Sequence, residues 1–314
     1  MKAIVYQKFG NAEVLQTIEV TIPSVQPNQV LVKVKAISIN PLDWKIRKGE
    51  MKLMSGSKFP RSTGVDFAGI IEDTGSAITN LKKGDEVFGV VKNIMKDGAS
   101  AEYVAVPSTT VWKKPTHLNF SQAASIPLVG AAAVTVLKKM GNIHSHTQIL
   151  VNGATGGVGM FLLQLLKKTG ARVTAVASTK ATDFAKKRGA AFVIDYTKEN
   201  VLAPKNTYDI VVDLSGKMGY ASAKQIMKPQ ALFLNPTPKP IEIPTSLFKN
   251  LFTGKKHIVI LSKPSANNME ILLNAIDAGL QIEVSKVFPF AQFKEAYQYA
   301  EHGGYVGKVA VEIN

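Results

Sequence analysis

The segment TQILVNGATGGVGMFLLQLLKKTGARVTAVAS, residues 147–178, restricts the fold more than any other stretch of the chain. An apolar run (Ile149, Leu150, Val151) leads into a glycine-rich turn. A helical pattern follows, with Val158, Phe161, Leu162, Leu165 and Leu166 on one broad face. Lys167 and Lys168 sit near its end and Gly170 stops it, as a glycine just past a helix does. A second apolar run then begins. Strand–helix units continue with apolar runs at 190–196, 208–216, 231–236 and 257–262. Runs that are apolar almost throughout suit strands covered on both faces, so the expected class is α/β with a doubly wound parallel sheet.

Ala154-Thr155-Gly156-Gly157-Val158-Gly159 lies between that first strand and its helix, the context a dinucleotide fingerprint requires. Ala154 takes the place of the first glycine. Gly156 would let a pyrophosphate approach the backbone, and Gly159 would let helix and strand pack closely. Free N–H groups at the helix start favour an anion. A tight turn without a ligand is the plain alternative. No Lys-Ser/Thr follows the glycines, so the turn is not an NTPase phosphate loop. The second strand ends in Ser178-Thr179-Lys180, with no Asp or Glu in the position that binds an NAD ribose. Hydroxyls and a lysine suit a 2′-phosphate, and Tyr196 at the next strand end could stack on an adenine. The expected cofactor is therefore NADPH, although Lys180 also fits a solvated helix start.

Residues 1 to about 118 read as β-rich. VLVKVKAISI (30–39) begins with alternation, and LKKGDEV (81–87) reads as a turn between strands. The chain has 314 residues and no cysteine, which excludes disulfides, thiol nucleophiles and cysteine-ligated zinc. It has no run of eighteen apolar residues and no apolar leader block, so a cytoplasmic protein is expected.

SINPLDWKIRKG (38–49), FPRSTGVDFAGII (59–71), LKKGDEV, NGATGGVG and the closing GKVAVEI together resemble the medium-chain dehydrogenase/reductase superfamily, on its zinc-independent quinone oxidoreductase branch. The NPLDWKIRKG form is similar to the plant envelope quinone and enone oxidoreductase group. The resemblance implies a GroES-like β-barrel catalytic domain (1–119, returning at 263–314) split around a Rossmann domain (120–262). It also implies a homodimer, and an active site in the cleft between the domains. Asn40 and Val65 stand where zinc-dependent members carry a cysteine and a histidine. Without a metal to polarise an alcohol, an acceptor that is already electrophilic is expected: a quinone, or the β-carbon of an α,β-unsaturated carbonyl. Lys45 stands where related reductases present a tyrosine and is the expected polariser or proton donor, with surface exposure its plain alternative. Asn40 is expected at the nicotinamide ribose or substrate oxygen, and Asp43 as an orienting group or a purely structural one. Leu214-Ser215-Gly216 and Asn235-Pro236 are implied to end strands beside the dinucleotide. Ala132 replaces a threonine usual near the nicotinamide.

The formal charge of +15 attracts anions without naming one. A protein that keeps this fold but binds nucleic acid or an anionic membrane surface, holding NADPH without turnover, is the alternative function. Lysine pairs at 138–139, 167–168, 186–187 and 255–256 are scattered and form no basic–aromatic stripe. His144 and His146 lack a third ligand and read as surface residues.

Overall fold

The computed structural model describes residues 1–203, 205–238 and 241–313. Six of its strands form one parallel sheet. In spatial order they are Phe192–Asp195, Arg172–Ala177, Gln148–Asn152, Tyr208–Asp213, Met227–Asn235 and Lys256–Val259. The strand order reverses between Gln148–Asn152 and Tyr208–Asp213, and in such sheets ligands bind outside the strand ends at that crevice. Side chains alternate across the sheet. Ile149 and Val151 join the core under the helices Pro127–Lys139 and Gly157–Lys167, while Leu150 joins Val211 and Phe233 on the other face. Covering on both faces is why these strands read as apolar runs.

The remaining strands build the barrel. Gln29–Ser38 is its spine and pairs antiparallel with Asp66–Thr74, Tyr103–Pro107 and Lys308–Glu312. Its ladder with Asp66–Thr74 shifts register twice, which bends the sheet. Glu86–Val90, Val111–Lys113 and Val284–Pro289 complete the seven strands. Lys2–Tyr6, Leu15–Glu19 and Arg61–Ser62 form a smaller sheet. The α/β architecture, a GroES-like barrel with a Rossmann sheet, is the one expected. The helix Ala266–Asp277 differs from the expected division at 263. Its Met269, Leu272, Ala275 and Ile276 pack into the core beneath the parallel sheet. The chain rejoins the barrel sheet only at Val284–Pro289 and Lys308–Glu312. Among the described residues no helix is long and apolar enough to cross a membrane.

Helix Gly157–Lys167 starts directly against its strand. A Cβ on Gly159 would lie 2.3 Å from the Ala154 carbonyl oxygen, whereas one on Gly156 would meet nothing nearer than 3.7 Å. Gly159→Ala is therefore expected to lower stability by about 1–3 kcal/mol, and Gly156→Ala by much less. Urea unfolding midpoints of the two variants check the contrast.

Candidate active site

Each glycine of the turn answers to a different constraint. Gly153 has φ +78°, the left-handed region that favours glycine. Gly156 caps the helix in an extended conformation, and its open side leaves room for a ligand against the backbone. Gly159 is fixed by the helix–strand contact. A Cβ on Gly157 would lie 2.8 Å from Cδ of Lys308 and 3.2 Å from Cγ1 of Val129, so its constraint comes from behind the turn. Gly307 donates its N–H to the Thr155 carbonyl at 2.8 Å, and Gly156 and Gly307 pair as a short bridge. The returning chain thus straps the turn in place. An N-terminal helix turn has N–H groups without intrahelical partners. Bare backbone facing open space fits a dinucleotide pyrophosphate.

A crevice of about 860 Å³ runs along the ends of the parallel strands. Thr155, Ser178, Lys180 and Tyr196 line it, four of the residues expected at the cofactor. Tyr299 and Tyr305 line it as well, their rings stacked 5.5 Å apart. Sequence reasoning missed both, because they come from the returning segment and carry no motif. Ala154 is fully buried and Gly159 is buried beneath the turn, so these two shape it rather than face the crevice. Val158 is half-buried in the first helical turn and packs on the core.

Leu214 and Asn235 do not line the crevice. The Leu214 N–H is spent on the Asn152 carbonyl, and its side chain packs on the core. Asn235 Oδ1 accepts from the Thr237 N–H at 2.9 Å, closing the loop after its own strand. Ser215, from the same implied stretch as Leu214, does line the crevice. Of the Ser178–Thr179 hydroxyl pair, Thr179 is already engaged, donating to Asp195. Asp195 also accepts from Thr197 Oγ1 at 2.6 Å and Thr197 N at 3.0 Å. The Thr179 and Thr197 hydroxyls hold its carboxyl down at about 2. Ser178 and Lys180 remain on that side of the crevice.

Behind the turn lies a buried polar cluster. The Lys308 ammonium donates to the Ile39 carbonyl at 2.7 Å and to Asn40 Oδ1 at 2.6 Å. Asn40 Nδ2 donates to Asp66 Oδ2 at 3.0 Å, and Asp66 also accepts from the Leu128 N–H. Asp43 Oδ2 accepts the Asn40 backbone N–H at 2.7 Å, capping the helix Pro41–Arg47. Burial pushes the Asp43 carboxyl up to about 7, against the Asn40 N–H bond and the Lys308 charge. Burial likewise raises Asp66 and lowers Lys308, while the two carboxylates pull Lys308 back up. Among the described residues no three of His, Cys, Asp or Glu are placed to hold a metal ion.

Residues 26–116 match the alcohol dehydrogenase GroES-like domain, and residues 188–311 match a family described as zinc-binding dehydrogenase. The chain is 31% identical over 324 residues to the chloroplast envelope quinone oxidoreductase homolog of Arabidopsis thaliana, covering 99% of this chain and 98% of that one. It is 32% identical over 321 residues to the chloroplastic NADPH-dependent alkenal/one oxidoreductase of the same plant, covering 99% and 79%. The quinone oxidoreductase structure from Coxiella burnetii superposes with a TM-score of 0.89 at 30% identity, covering 100% and 99%. The chain belongs to the medium-chain dehydrogenase/reductase family.

Within that family this chain is an NAD(P)H oxidoreductase. The three residues expected at its chemistry fall into two groups. Asn40 is fully buried with both ends of its amide engaged, by Lys308 and Asp66, so it is not free to bond a ribose or substrate oxygen as expected. Asp43 takes the structural option. Lys45 is half-exposed on the same helix and has no hydrogen bond or ion pair from its side chain among the described residues, but it lines neither the crevice nor the small cavity beside Asp43. Lys308 and Asp66 escaped sequence reasoning. The available signal was a charged residue inside each of two apolar runs, GKVAVEI and GVDFAGII.

A carboxyl whose folded pKa is raised to about 7 contributes stability fully below its unfolded value and loses that contribution as pH rises through 7. Asparagine at position 43 can accept the same N–H without ionising. The melting temperature of Asp43→Asn is therefore expected to gain on wild type as pH goes from about 5 to about 8. Paired thermal melts across that range check the sign.

Proposed function

We propose that the chain is an NADPH-dependent, zinc-independent reductase of quinones or α,β-unsaturated carbonyls. The observation that carries the cofactor half is the crevice wall after the second parallel strand, where Ser178 and Lys180 face the space and that strand ends without a carboxylate. The nearby Asp195 is turned onto the hydroxyls of Thr179 and Thr197 and is absent from the crevice lining. A lysine and a hydroxyl suit a 2′-phosphate. The printed name of the Arabidopsis alkenal/one oxidoreductase, NADPH-dependent, supports the same reading.

The zinc-free half rests on the donor set. The sequence has no cysteine, Val65 is buried and apolar, and the Asn40 amide is held by Lys308 and Asp66. One of the matched family models is described as zinc-binding, but the sequence has no thiolate to offer, and among the described residues no three of His, Cys, Asp or Glu converge as such a site requires.

Bound NADPH would supply a hydride, leaving the acceptor to take up a proton. The chain's own part is positioning and charge stabilisation. The turn 153–159 would hold the pyrophosphate against backbone N–H groups. Ser178, Lys180 and Tyr196 would hold the adenosine end. Lys45 has an unspent ammonium to offer a carbonyl oxygen on which negative charge builds, and solvent can deliver the final proton. The names of the quinone and alkenal/one relatives support an electrophilic acceptor.

We also infer a homodimer. Strand Lys256–Val259 closes the parallel sheet and pairs on one side only among the described residues. Beside it Leu251 and Phe252 are each 75% exposed, with Leu247, Phe248 and Leu261 exposed around them. An open strand edge flanked by an apolar patch invites self-association, and a second copy offers the same edge and patch about a two-fold axis.

Two measurements test these readings. Calorimetric titration is expected to show NADPH binding more tightly than NADH, with Lys180→Ala narrowing the gap. An acceptor screen following NADPH absorbance is expected to show turnover on small quinones or enones, slowed about 10- to 100-fold in Lys45→Ala. Equal affinities defeat the cofactor preference, and unchanged turnover removes Lys45 from the chemistry. Separately, sedimentation of the wild type is expected to give a dimer and of Leu251→Asp/Phe252→Asp a monomer; a monomeric wild type defeats the dimer.

A further inference from the structure

Lys308 is 3% exposed, a rare place for a lysine. Burying an ammonium is costly unless it is paired and hydrogen-bonded. Exchange of a buried ion cluster for apolar groups of similar volume is often neutral or stabilising. Global stability is therefore a weak reason for this lysine, and its contacts offer a stronger one.

The side chain spans the junction of the two halves. At its base, Gly307 is bridged to Gly156 and donates to Thr155, so Lys308 leaves the backbone directly behind the dinucleotide turn. Its stem crosses the start of helix Gly157–Lys167 so closely that residue 157 has no room for a Cβ. Its ammonium ends on Ile39 and Asn40, and Asn40 is the N-cap of the helix that carries Lys45. Through Asn40 the bonds continue to Asp66, and from Asp66 to the Leu128 N–H in the first turn of helix Pro127–Lys139. Val129 of that turn comes back to touch the space beside Gly157. Two helix starts, one beneath the parallel sheet and one in the barrel, therefore meet at the Lys308 side chain, and a third is tied to it through Asn40 and Asp66.

We propose that Lys308 is a positioning residue, setting the dinucleotide turn against the helix start that presents Lys45. The proposal rests on the reading of the turn as the cofactor site. Lys308 touches neither cofactor nor acceptor. It fixes the position of the backbone groups that would hold the pyrophosphate and of the helix that would meet the acceptor. It also accounts for Gly157 without reference to a ligand: that glycine makes room for the lysine stem.

The experiment uses the full chain and titrates NADPH and NADH separately, with thermal melts in parallel. Lys308→Met/Asp66→Asn removes the ammonium and one of its two neighbouring carboxylates together, and leaves Asp43 with the Asn40 N–H bond and the Arg47 charge. It is expected to melt within a few degrees of wild type yet bind either dinucleotide about tenfold more weakly, the loss of one ordinary interaction. Gly157→Ala leaves every charge in place and pushes on the lysine stem, and it is expected to lose affinity by a similar factor. A lysine with a purely structural role would move the melting temperature and leave the affinity alone. Wild-type affinity in the double variant, or in Gly157→Ala should the double variant not fold, overturns the proposal. A wild type that binds NADH better than NADPH defeats only the cofactor preference, since the turn serves both. A wild type that binds neither defeats the cofactor reading and this proposal with it.

Discussion

A helix that begins on bare backbone has to be held from behind. Glycines at 153, 156, 157 and 159 remove the side chains that would otherwise anchor the turn, and the two inside the helix, Gly157 and Gly159, each cost about 0.5–1 kcal/mol in backbone freedom relative to alanine. The anchoring comes from the rest of the helix. Met160, Phe161, Leu162, Leu163 and Leu166 are all fully buried, and each such side chain contributes about 1.5–3 kcal/mol. Burial therefore exceeds the glycine cost several times over, and the first turn can be given up to ligand contact. The bridge from Gly307 then fixes it against the barrel.

The same accounting separates the two populations of charge. Some interior charges have charged neighbours: Lys308 stands among Asp43 and Asp66, and the fully buried Arg47 pairs with Glu301. Buried Arg61 donates instead to the carbonyls of Ser55, Gly56 and Met95. Most lysines are exposed or half-exposed, so most of the +15 excess lies on the outside. At physiological ionic strength a surface charge acts over about 8 Å, so only lysines near a ligand contribute to its binding. Lys180 and Lys217 line the crevice and meet that condition for a phosphorylated ligand. Net charge alone therefore carries no argument for nucleic acid or an anionic membrane as partner.

What sequence reasoning could reach follows from how local each signal is. The parallel strands were legible because burial on both faces writes an apolar run into consecutive residues. The glycine turn was legible because strand, turn and helix are contiguous. The family resemblance implies Leu214 and Asn235 beside the dinucleotide, but the direction of a side chain after a strand end is set by the following loop, which here turns Asn235 onto Thr237. In a local window Thr179 reads as a free hydroxyl, because its partner, Asp195, stands sixteen residues on. The engagement of Asn40 is hidden from sequence because its partners lie 26 and 268 residues away. A contact that closes only in the folded chain leaves no trace in a local window.

Helix Pro41–Arg47 shows how holding and acting are divided within seven residues. At 3.6 residues per turn, positions 43, 46 and 47 share a face. All three are buried: Asp43 caps the helix, Ile46 joins the packing, and Arg47 reaches Glu301 and the Gly10 carbonyl. Position 45 lies roughly 200° around from position 43 and so points away from that face. The helix is thus fixed by one side, and by the Lys308 bond at its N-cap, while the opposite side carries a lysine with no internal partner. A cation on such a mount is restrained at its backbone and free at its tip, the combination a group needs if it is to meet charge that develops on an acceptor rather than charge already present in the protein.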